Sequence, residues 1–151
     1  MSFKVLIPVD GSENSEKAYD CKVCKNMYQP SHEVIIFHAH VPPHLSTFSF
    51  KDFMHVPAEE WQQKMEASVK EVQKLENHYI TKYQSKVKPK FISENCNKPG
   101  EAICKCAKAQ EVDLILMGTR GLGSLRRTVL GSVSDYVLHH AERPVSVVPT
   151  H

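Results

Sequence analysis

The sequence predicts an α/β protein built on one doubly wound, Rossmann-like, open parallel sheet of five strands, order 3-2-1-4-5, with helices on both faces. Three observations lead there. Short apolar runs alternate along the chain with segments of helical periodicity, which calls for right-handed crossovers between parallel strands. Runs such as Val34-Ile35-Ile36-Phe37 are continuously apolar, the pattern of strands buried on both faces. A glycine-rich stretch follows the fourth run directly, where sheets of this kind receive ligands.

Phe3 to Val9 is the first strand, and Asp10-Gly11-Ser12 turns the chain into a helical pattern through Ala18, Cys21, Val23 and Met27. Ser12 is placed to cap that helix, with Ser15 and Glu16 in its first turn. After Gln29-Pro30-Ser31 comes the second strand, Val34 to Ala39. Residues 41–57 mix prolines, serines, phenylalanines and histidines without a period and read as a long loop or lid. A helix follows from about Ala58 to Gln84, with Trp61, Met65, Val69, Val72, Leu75, Tyr79 and Tyr83 as an expected core stripe. Val87 to Ser93 is a weaker strand, and Pro89 within it suits an edge. Pro99-Gly100-Glu101 starts a short helix, Val112 to Met117 is the fourth strand, Ser132 to His140 the last helix and Pro144 to Pro149 the fifth strand. A weak third strand at one edge and a short fifth at the other give the order 3-2-1-4-5, with the switch between strands one and four.

At 151 residues with 41% apolar residues, the chain fits one globular domain, 1–151. The charge of +2, from 19 basic and 17 acidic residues spread along the chain, points at neither nucleic acid nor an anionic membrane. The sequence carries neither a membrane-spanning run nor a signal-peptide pattern, so a cytoplasmic location is expected. The five cysteines are expected to stay reduced there. Cys21-x-x-Cys24 falls inside a helix rather than at its first turn, and Cys104-x-Cys106 has the wrong spacing for a zinc knuckle. His38-x-His40, with His44 nearby, would share one strand face, but strand-end histidines commonly hydrogen-bond locally. His139-His140 suits a helix C-terminus.

The stretch Gly118 to Ser132 carries the most chemistry. Gly118, Gly121, Gly123 and Gly131 offer backbone N–H groups unshielded by Cβ, and Gly131-Ser132 opens a helix whose N-terminus favours an anion. Glycine-rich loops also serve simply to turn the chain, so the loop alone leaves both readings open. No P-loop is present, and Arg126 stands where a dinucleotide fingerprint needs its third glycine. The topology brings Asp10 to the same crevice. A carboxylate beside a phosphate cradle is unfavourable unless it meets ribose hydroxyls, Mg²⁺ or both; the alternative is a turn or cap residue.

Taken together, Gly118, Gly121, Gly131 and Ser132, spaced as Gly, two residues, Gly, nine residues, Gly, Ser, resemble the motif of universal stress proteins of the nucleotide-binding type. The opening strand into Pro8-Val9-Asp10, the second strand E-V-I-I-F-H-A, the approach D-L-I-L-M-G and the closing R-P-V-S-V-V-P extend the resemblance over essentially the whole chain. It implies ATP or AMP at the switch point. By resemblance, Asp10 meets the ribose and a nucleotide-borne Mg²⁺, Pro8 and Val9 line the adenine, and Ala39 leaves room for the base. Met117 and Gly118 approach the ribose and adenine, while Arg120, Gly121, Gly131, Ser132 and Val133 surround the phosphates. Arg126 and Arg127 either guard the phosphates or face solvent. The resemblance also implies a homodimer through Val145 to Val148, which would cover an exposed apolar edge. Three functions remain in play at this point: a regulatory adenine-nucleotide binder, expected to lack efficient turnover; a slow Mg²⁺-dependent ATPase; and a protein-interaction module that binds no nucleotide.

Overall fold

The computed structural model describes residues 2–20, 25–26, 29–41, 57–82, 87–118 and 130–148. The elements assigned among these residues are, in order, β1 (Phe3–Pro8), α1 (Glu13–Tyr19), β2 (His32–His40), α2 (Ala58–Lys82), β3 (Lys90–Asn95), α3 (Pro99–Ala109), β4 (Leu114–Gly118), α4 (Ser132–His140) and β5 (Val145–Val148). Among the described residues five strands form one sheet in the order β3-β2-β1-β4-β5, and every neighbouring pair is parallel. Fold class and strand order are those the sequence predicts. The order reverses between β1 and β4, so the crevice expected of such sheets opens at their carboxyl ends.

Period-two alternation divides the core between the sheet's faces. Val5, Ile7, Val34, Ile36 and Leu116 pack on one face with Tyr19 of α1 and Tyr79 of α2. Leu6, Ile35, Phe37, Ile115 and Met117 pack on the other with Ala102, Ile103 and Cys106 of α3 and Val137 of α4. Because both faces are covered, both parities must be apolar, hence the continuous runs.

Two expectations need correction. The third strand starts at Lys90, after Pro89, and runs to Asn95 instead of Val87 to Ser93. Proline offers no N–H to a ladder and fits the approach better than the interior; the strand does lie at the sheet edge. The stripe of α2 is not core throughout: Tyr79 is fully buried, but Met65 is 48% and Val69 52% exposed. At 25 residues α2 is about 37 Å long, against about 20 Å for a six-residue strand, and Met65 and Val69 line a hollow with His40, Ser93 and Asn95 at the strand ends. Tyr83, Cys21, Val23, Cys24, Met27 and the loop 42–56 lie outside the described residues.

The turns that frame the crevice have identifiable causes. Ser12 caps α1, its Oγ accepting the Ser15 N–H at 3.2 Å. Gly11 has φ +76°, a left-handed conformation that favours glycine. Pro99 opens α3, where its missing N–H costs nothing. Gly100 lets α3 approach α4: a Cβ there would lie 2.7 Å from Cδ1 of Tyr136.

Candidate functional site

A cleft of about 210 Å³ opens at the switch point. Pro8, Val9 and Asp10 at the end of β1, Ala39 near the end of β2, Met117 and Gly118 at the end of β4, and Val133 in the first turn of α4 all line it. These segments are far apart in sequence, and the topology alone brings them together. Of the other residues singled out in the sequence, Gly131 is half-buried and Ser132 exposed, and neither is part of the lining. Arg120, Gly121, Gly123, Arg126 and Arg127 lie outside the described residues.

The cleft has two chemical sides. Phe37 and Ala39 of β2, Val41 just after it, Pro99 and Ile103 of α3, and Met117 of β4 supply apolar surface. Asp10, Ser12 and Ser15 from the β1–α1 turn, with Ser134 of α4, supply polar groups. An apolar wall with a few placed polar groups is the usual make-up of a small-molecule site.

Each polar group is held by identifiable bonds. The Asp10 Oδ1 accepts the Ser12 N–H at 2.9 Å, and the Asp10 N–H donates to Ser15 Oγ at 3.2 Å. Asp10 therefore does act as a turn residue, and it is also part of the cleft lining. Val9 is fixed on both sides: its N–H donates to the Phe37 carbonyl at 2.8 Å, and its carbonyl accepts from His38 Nδ1 at 3.0 Å. On the opposite wall Ser134 is buried, and its Oγ donates to the Gly118 carbonyl at 3.2 Å, tying α4 to β4. The first helical bond of α4 runs from the Asp135 N–H to the Gly131 carbonyl, so the amides of Ser132, Val133 and Ser134 have no partner within the helix. Those three donors and the positive end of the helix dipole attract an anion.

His40 Nε2 lies 2.5 Å from Ser68 Oγ on α2; burial and the neighbouring His38 push its pKa down. Both histidines of the pair are thus engaged locally, and His44 lies outside the described residues. Among the described residues no three His, Cys, Asp or Glu side chains gather as a metal site. Cys96, Cys104 and Cys106 are free thiols, and burial pushes Cys106 up to about 11, so it stays protonated at neutral pH. No described helix is long and apolar enough to cross a membrane.

Sequence reading did not single out Phe37, Val41, Pro99, Ile103, Ser15 or Ser134 for this cleft. Ser15 carried a signal, its place in the capped first turn beside Asp10. Pro99 and Ile103 carried none, because their contribution depends on how α3 packs across β2 and α4.

A doubly wound parallel sheet with a half-apolar cleft and a helix N-terminus at its switch point defines a class of Rossmann-like α/β proteins. Within that class, the family model of the universal stress protein family matches residues 1–149, and the chain belongs to that family. It is 32% identical over 147 residues to universal stress protein YxiE of Bacillus subtilis, covering 96% of this chain and 97% of that protein. A shorter match, 50% identical over 52 residues, relates it to universal stress protein Slr1101 of Synechocystis and spans 34% of this chain and 48% of that protein. Among solved structures, protein MJ0577 of Methanocaldococcus jannaschii superposes with a TM-score of 0.71 at 28% identity, over 100% of this chain and 98% of that one. A universal stress protein family protein of Arabidopsis thaliana, solved with AMP bound, gives 0.68 at 19% identity, over 99% and 92%.

Proposed function

We propose that this universal stress protein binds an adenine nucleotide, ATP or AMP, in the switch-point cleft, and that the bound nucleotide acts as a regulatory ligand. The observation that carries the reading is the convergence of β1, β2, β4 and α4 on one cleft with an apolar side for a base and helical N–H donors for phosphate. The Arabidopsis relative with bound AMP supports the choice of nucleotide class. In this reading Pro8, Val9 and Ala39 face the base, Asp10 the ribose and metal region, Met117 and Gly118 the ribose and adenine, and Arg120, Gly121, Gly131, Ser132 and Val133 the phosphates. A regulatory ligand works by binding one state of the protein better than another.

Mg²⁺ fits as a companion of the phosphates. It keeps several waters and takes one or two carboxylates together with phosphate oxygens, and Asp10 brings a carboxylate to the cleft. The ion would neutralise phosphate charge there. A homodimer through Val145 to Val148 completes the proposal: β5 is a sheet edge with only β4 beside it among the described residues, and its four residues are half-buried in the single chain.

Calorimetric titration with ATP, ADP and AMP, with and without Mg²⁺, tests the reading. Dissociation constants in the micromolar range are expected for the native protein, with loss of binding in a folded Ala39→Leu variant whose larger side chain fills the base end. Absence of heat from every adenine nucleotide would refute it.

A further inference from the structure

Tyr79 is fully buried on α2 and does not line the cleft, yet it lies two hydrogen bonds from Asp10. Its hydroxyl is 3.2 Å from Ser15 Oγ, and the same Oγ accepts the Asp10 N–H at 3.2 Å. One turn back along α2, Leu75 backs the same loop: a Cβ on Gly11 would meet its Cδ1 at 3.3 Å. Leu75 and Tyr79 are four residues apart and so share a helix face. The turn itself closes on Asp10, through Ser12 N–H to Asp10 Oδ1 and Ser15 N–H to Ser12 Oγ. Further out, Glu16 pairs with both His78 and Lys82, and Lys82 also reaches Asp20 at 2.6 Å. α1 and its entry turn are therefore clamped against the C-terminal half of α2.

We propose that the Leu75–Tyr79 face of α2 holds the Asp10 turn at the cleft, with Tyr79 a positioning residue that acts on Asp10 through Ser15. The effect on ligand affinity rests on the nucleotide reading above; the effect on the turn does not. Burial, with Glu16 and Asp10 close by, pushes the Tyr79 hydroxyl far above its ordinary range. It therefore stays protonated and can hold its bond to Ser15 across the physiological range. Ring packing is a separate role: Tyr79 meets Tyr19 edge-on at 4.8 Å, a contact that phenylalanine would keep.

The test is Tyr79→Phe, Ser15→Ala and the double variant, read by amide hydrogen exchange at Asp10 in the nucleotide-free protein and by Mg²⁺-ATP affinity. From the net worth of one hydrogen bond, Tyr79→Phe should speed Asp10 exchange and weaken ATP binding by about threefold to tenfold each. In the Ser15→Ala background it should change neither further, because the path to Asp10 is already cut. Unchanged Asp10 exchange in Tyr79→Phe would overturn the proposal. So would an equal effect in both backgrounds, which would mark packing as the cause. Should Tyr79→Phe fail to fold, Leu75→Ala, which removes the side chain of the same α2 face behind Gly11, takes its place: Asp10 exchange should speed up, and unchanged exchange would overturn the proposal. A native protein that binds no nucleotide refutes the functional reading, and Asp10 exchange still judges the positioning role.

Discussion

Gly11→Ala probes the turn on which the cleft depends. Gly11 sits at φ +76°, where an L side chain crowds its own backbone at a cost of about 1–2 kcal/mol. The new methyl would also come within 3.3 Å of Leu75 Cδ1, the end of a flexible side chain that gives way by a few tenths of an ångström. Backbone strain therefore dominates. Against it stands the lower entropy of the unfolded chain when glycine is replaced, roughly 0.4–1 kcal/mol. The net expectation is a loss of about 1 kcal/mol, which for 151 residues lowers Tm by about 2–4 °C. Urea and thermal unfolding followed by circular dichroism measure it, with the urea slope unchanged if only stability moves. Gly11→Asn should lose less, because asparagine tolerates this region. The Gly11→Ala loss should also persist in a Leu75→Ala background, because the strain is in the backbone. Equal stability of Gly11→Ala and the native protein would refute the reasoning, as would rescue of the loss by Leu75→Ala.

Two further predictions concern charge and assembly. Partial burial pushes the Glu16 carboxyl up, but Lys82 and His78 outweigh that and hold it below its ordinary 4.5. A depressed carboxylate stabilises the fold above the unfolded value and loses that contribution as pH falls through the folded one, so Glu16→Gln should flatten the loss of stability below about pH 4.5. Equal acid unfolding profiles would contradict it. If β5 pairs with its copy, sedimentation equilibrium at micromolar concentration should give twice the chain mass of 17.1 kDa, and a monomer would refute the pairing.

What the sequence made legible was whatever depends on one element at a time. Continuous apolarity in Val34 to Phe37 and the short runs around Ile7 and Leu116 located the strands, because burial on both faces leaves no polar parity. Ser12, Pro99 and Gly131 marked helix starts through chemistry that acts within a turn. The strand order followed from relative strand strength and placed Asp10 and Met117 at one cleft; Ala39 came only with the family resemblance. Less legible was anything set by the length of an element or by a crossing. Met65 and Val69 carry the same helical spacing as Leu75 and Tyr79, yet about half of each is exposed, beside the ends of β2 and β3. Pro99 and Ile103 join the cleft because α3 passes above it, where Gly100 permits a close approach to Tyr136. No local pattern announces such a crossing.

The most direct test of the central claim is a backbone amide chemical-shift map of the isotope-labelled native protein during titration with ATP. Saturable shifts are expected to concentrate at Val9 and Asp10, Ala39, Met117 and Gly118, and Val133 and Ser134, all of which line the cleft. Saturable shifts confined to another surface, such as the Met65 and Val69 face of α2, or no shifts at all, would contradict it.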